Sequence, residues 1–130
     1  MNQSVEFHDS VLGHAEKSGD LIALHFSRAY IHRSAGEPGV NAGDGLVQPL
    51  LLSFSGASYV GNLEAASGWV SDGYVSVSGN RYSLVPLPFN QTGEVRAEFV
   101  FTSGLTLSIS ASSVCSKLLG EPRWVERFAS

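Results

Sequence analysis

Apolar and polar residues alternate with a period of two over much of this chain, the spacing that sends successive side chains to opposite faces of a β-strand. The clearest case is 94–102 (EVRAEFVFT). Val95, Ala97, Phe99 and Phe101 share one face there, and Glu94, Arg96 and Glu98 share the other. Ser103-Gly104 reads as a turn, and 105–111 (LTLSISA) resumes the alternation with Leu105, Leu107, Ile109 and Ala111 inside. Together they predict an antiparallel hairpin with one wet face. Earlier in the chain, 4–12 is a strand candidate built on Val5, Phe7 and Val11, 13–20 is turn-rich, and 21–33 (LIALHFSRAYIHR) is a long strand. Near Ser27 the apolar set moves from the face of Ile22, Leu24 and Phe26 to that of Ala29 and Ile31. One inserted residue reverses the register of all that follows, so a β-bulge is expected at Ser27.

Further strands are expected at 46–55, 57–65 and 81–87. Pro49 cannot donate a ladder hydrogen bond, so it belongs at a strand start, an edge or a bulge. Within 69–77, Ser71-Asp72-Gly73 stands between hydrophobic stretches and predicts a hairpin turn, and Gly79-Asn80 marks the next one. Residues 34–45 carry Pro38 and four glycines and read as a long loop. In the tail, Trp124, Val125 and Phe128 have i, i+1, i+4 spacing, which suits a short helix beginning near Pro122 as well as a final strand. The whole predicts one all-β domain over 1–130. It is an antiparallel sandwich or barrel of about eight to nine strands, with room for one short C-terminal helix.

Composition supports this. Charged residues are 15% against a usual value of about 25%. Gly occurs 14 times, and with Ser it fits strands joined by tight turns better than exposed helices. The net charge is −4 and no Lys/Arg run exists, so neither nucleic acid nor an anionic membrane surface is an expected partner. Cys115 is the single cysteine, which excludes an intrachain disulfide and a multi-cysteine metal cage; a small buried filler is expected of it. The opening residues lack signal-peptide features and no apolar run approaches the ~20 residues of a spanning helix, so a cytoplasmic location is expected.

Candidate chemistry is sparse. No Gly-x-Ser-x-Gly elbow, HExxH or Gly-Lys-Ser/Thr pattern is present. No catalytic residue is assigned, and no metal or cofactor is expected. In Phe7-His8-Asp9-Ser10, adjacent side chains of a regular strand diverge, so His8 and Asp9 meet only if a bulge intervenes. His25 and His32 lie seven apart. Even after a bulge they would be some 20–23 Å apart along the strand, too far to share a metal. A shared site would need His8 or His14 from a neighbouring strand together with Asp9, Asp20 or Glu37. The ligand-binding candidates are His8, Asp9, His25, Arg28, Tyr30 and His32.

Phe7-His8-Asp9-Ser10, the Gly19-Asp20 turn, the strand Leu21–Phe26 and the closing hydrophobic hairpin resemble small uncharacterised bacterial all-β proteins. Some of those are similar to immunity proteins of bacterial toxin systems. The resemblance covers mainly the first thirty residues. It implies a protein-binding role without catalytic residues. The leading expectation is therefore a non-catalytic module that binds a partner protein or itself. The alternative is a cupin-like barrel binding a small ligand or metal, with Asp9, His25, Arg28 and His32 as the polar groups of an enzymatic pocket.

Overall fold

The computed structural model describes residues 1–129, and all regular structure among them is β. The strands are β1 (Asn2–Ser18), β2 (Leu21–Ser34), β3 (Gly43–Ser55), β4 (Ser58–Gly61), β5 (Gly68–Val77), β6 (Asn80–Tyr82), β7 (Leu84–Leu87), β8 (Asn90–Phe101), β9 (Thr106–Leu118) and β10 (Arg123–Phe128). Six of them, in the order β3-β2-β1-β5-β8-β9, pair antiparallel, and β9 pairs back onto β3. The sheet is thus a closed barrel rather than a sandwich. β10 adds to β3, β4 to β9, β6 to β5 and β7 to β1.

Closing six strands leaves a narrow interior. Eight strands already enclose a space that side chains just fill. Here Phe7, Phe26 and Phe99 meet at ring-centroid distances of 5.7, 5.0 and 6.1 Å, and Leu24, Leu50, Leu52, Phe54 and Leu107 are fully buried around them. Each such side chain contributes roughly 1.5–3 kcal/mol by leaving water. The alternation predicted for 94–102 and 105–111 holds: Val95, Ala97, Phe99, Phe101, Leu107 and Ile109 are buried.

The predicted bulge at Ser27 is present. Phe26 pairs with Leu50 and Ala29 with Gln48, so β2 spends three steps where β3 spends two. Ile22, Leu24 and Phe26 are buried before it, Ala29 and Ile31 after it. Pro49 lies opposite this bulge, inside β3. It also marks where β3 changes its other neighbour, from β10 at Gly43–Val47 to β9 at Leu50–Ser55. A residue without an N–H is tolerated where the ladder is already interrupted.

A larger bulge interrupts β1. Glu6 pairs with Tyr30 and Val11 with Arg28, five steps on β1 against two on β2. Ser10, fully buried, bridges the gap. Its Oγ accepts from the Tyr30 N–H at 2.9 Å and donates to the Glu6 carbonyl at 2.7 Å. Before the bulge β1 pairs with β7 on its other side, through Gln3–Glu6; after it, with β5 through Val11 and Leu12.

Three expectations need correction. Residues 13–18 are strand, and only Gly19-Asp20 turns. Ser71-Asp72-Gly73 makes no hairpin but a bulge within a continuous β5. Gly73 serves close packing instead, since a Cβ there would lie 2.9 Å from the Phe99 ring and 3.1 Å from the Phe7 Cβ. The true hairpin follows at Ser78-Gly79, whose φ values of 50° and 87° fit a type I′ turn. Of the two alternatives open for the tail, the final strand forms, as β10: the outer ladder of Gly43–Val47 is free of β9 and accepts it. Cys115 is exposed rather than a buried filler, and its Sγ donates to Asn90 Oδ1 at 2.9 Å.

Ser10→Ala is expected to leave the Tyr30 N–H buried without a partner and to destabilise the barrel by about 1–3 kcal/mol, read from urea denaturation. A change within experimental error would show that the bulge does not depend on this hydroxyl.

Candidate functional site: a groove beside the β1 bulge

The bulge decides where the Phe-His-Asp-Ser side chains go. Phe7 turns into the core and Ser10 into the ladder, while His8 and Asp9 are pushed outward. Asp9 takes φ 68°, a left-handed conformation that Asp tolerates better than most residues. The condition set by the sequence is thereby met: His8 Nε2 stands 3.5 Å from Asp9 Oδ1. His8 Nδ1–H donates to the Ser71 carbonyl at 2.8 Å. That bond, and then the Asp9 carboxylate, raise the His8 pKa above its ordinary value.

His32 faces the same side from β2. Its Nε2 is 2.5 Å from Glu6 Oε2, a diagonal contact, because His32 pairs directly with Ser4. The His32 ring stacks on Phe128 at 5.1 Å. Its Nδ1 is buried with no hydrogen-bond partner among the described residues. Glu6, His8, His32, Gly39, Asp72 and Leu84 line a cleft of about 290 Å³.

Leu84 also lines a larger groove of about 630 Å³, between the N-terminal end of β1, β7 and the 35–42 loop. The loop is fastened down. Asn2 Nδ2 donates to Gly36 O at 2.7 Å, Ser34 Oγ to Ala42 O at 2.7 Å, and Glu37 N to Asn41 Oδ1 at 2.7 Å. Gly39, at φ 82°, rests on Leu84 so closely that a Cβ would lie 2.6 Å from its Cδ1. The groove floor is apolar, from Pro38, Val40, Leu84, Pro86 and Leu87, and Val40 is 63% exposed. Glu37, Glu6 and Asp72 stand around the two openings, and no Lys or Arg lines either.

The other candidates lie elsewhere. Arg28 stacks over the Trp69 ring at 5.4 Å. Tyr30 is buried, and its hydroxyl donates to Glu126 of β10. Burial and then that bond raise its pKa. His25 is held by Glu16 at 3.0 Å on the outer face of the β1–β2 hairpin. Only His8, Asp9 and His32 of the six therefore gather near one opening. Glu6, Val40, Asp72 and Leu84 were not read from the sequence, whereas Glu37 was named there as a possible partner of His8 or His14. Only the i, i+2 spacing of Glu6 and His8 gave any signal.

No protein-family model matches this chain, and no curated protein or solved structure matches it significantly. The groove must be interpreted from its own chemistry. Its carboxylates and exposed imidazole recognise charge.

The raised folded value means that His8 contributes stability below about pH 6.5, lost as pH rises through its folded pKa. Imidazole NMR titration should place His8 above the ordinary range. Asp9→Asn should lower it only in part, since the Ser71 carbonyl is the larger cause. An ordinary titration in the unaltered chain would contradict this geometry.

Proposed function

We propose that this chain is a non-catalytic protein-binding module whose groove holds an extended partner segment that is apolar and basic. The observation that carries this is the lining of the groove: an apolar floor with Val40 exposed, carboxylates at the openings, and no Lys or Arg among its walls. An exposed apolar patch rimmed by polar groups marks an interaction surface. Complementary charge then favours a Lys- or Arg-bearing partner over others, and the net charge of −4 acts in the same direction at long range. The pinned 35–42 loop keeps the ordering cost of binding low.

The alternative, a small-ligand barrel, wants an enclosed chamber. The six-stranded interior is filled with Phe and Leu side chains instead, and the groove is open to solvent. The resemblance of the opening motif to immunity-type proteins accords with a partner-binding role. The reading requires no cofactor.

The test compares the unaltered chain with Val40→Asp and Glu37→Lys as baits in the native host. Each captured protein is then purified and its affinity measured by calorimetry. A basic partner should bind one to one, with each substitution weakening it by about tenfold or more. A partner indifferent to both substitutions would overturn the proposal. So would a metabolite that raises the melting temperature of the unaltered chain but not of Val40→Asp.

A further inference from the structure

Far from the groove, the β1–β2 hairpin carries three potential metal ligands on its outer face. His14 and His25 are direct cross-strand partners. Their rings lie 4.1 Å apart and nearly parallel, at 12°. Glu16, two residues beyond His14, shares that face and reaches His25 Nε2 with Oε1 at 3.0 Å. One ligand atom from each of His14, Glu16 and His25 lies within 4.8 Å of the others.

This meeting is made by a further irregularity in β1. Leu12 pairs with Phe26 and His14 with His25, two steps against one. Without that extra residue Gly13 would face His25, and His14 would turn to the barrel side opposite Leu24. Residue 13 is tightly placed in this insertion: a Cβ would lie 3.2 Å from the His25 carbonyl oxygen and 3.4 Å from Ser27 Cβ. Ala15, on the inner side, packs against the core and holds the register.

We propose that His14, Glu16 and His25 bind one divalent ion of the zinc class. Two imidazoles and one carboxylate suit Zn²⁺, Ni²⁺ or Cu²⁺ and not Mg²⁺ or Ca²⁺, which want oxygen ligands in greater number. Metal–ligand distances near 2.0–2.2 Å place tetrahedral ligands about 3.3 Å apart, so the three atoms must close by about 1.5 Å at most. Glu16 and His14 are exposed and His25 is partly so, and rotations about their side-chain bonds accomplish this without moving the backbone. The ring stacking gives way as each imidazole turns its lone pair to the ion. Solvent completes the coordination. The site is independent of the groove and of the partner-binding role.

The full chain, stripped with a chelator and exchanged into chelator-free buffer, is titrated with Zn²⁺ by calorimetry, and its imidazole NMR signals are followed. One ion per chain is expected, with only the His14 and His25 rings shifting while His8 and His32 stay in place. His14→Ala and His25→Ala should each weaken binding by about tenfold or more, and Glu16→Gln by less. All three side chains lie outside the core, and an unchanged melting temperature without metal confirms that the variants are folded. Mg²⁺ should produce no shift. Zinc affinity unchanged in His14→Ala/His25→Ala, shifts centred on His8 or His32, or an ion shared between two chains would overturn the site.

Discussion

The fold depends on how β1 survives its own interruption. Three surplus residues between Glu6 and Val11 would leave the Tyr30 N–H unpaired in a buried position. The Ser10 hydroxyl accepts that bond and returns one to the Glu6 carbonyl. A side chain thus stands in for a missing rung. This lets β1 bend and change partner, from β7 before the bulge to β5 after it. β3 does the same at Pro49, passing from β10 to β9 opposite the bulge in β2. Strands that bend at bulges and exchange neighbours there supply the curvature that a barrel of six strands needs.

The same irregularities make the sites. The bulge at 7–10 throws His8 and Asp9 outward together, which a regular strand forbids. It also leaves room for β7 beside Glu6, so that Leu84 flanks the cleft. The insertion at Gly13 brings His14 opposite His25. Regular pairing builds the core, and each departure from it presents polar side chains outside. Bulges are frequent at functional positions for this reason.

The flanking strands have distinct tasks. β7 and the pinned 35–42 loop form the walls of the groove. β10 covers the outer ladder of Gly43–Val47, and its Glu126 accepts the buried Tyr30 hydroxyl. Its Phe128 stacks on His32, while Trp124 Nε1 donates to Asp44 at 3.3 Å. Trp124 itself is 60% exposed. The tail is therefore held by ladder bonds and a few specific contacts rather than by an amphipathic helical face.

The sequence alone determined the β class, the buried faces of β8 and β9, the bulge at Ser27 and the significance of Pro49. These are local consequences of period, ring constraint and the missing N–H. Other features were not legible because one local signal serves several structures. Asp72-Gly73 reads as a turn, but Gly73 is there to admit Phe7 and Phe99. Trp124 to Phe128 fits a helix until the free edge of β3 offers it a ladder. Of the six candidate residues, the pairing of His8 with Asp9 was foreseeable as a condition. The contact of Glu6 with His32, and that of His14 with His25, depended on register. Register is fixed by which strands meet and where residues are inserted. That depends on closure of the whole barrel, and only the tertiary structure decided it.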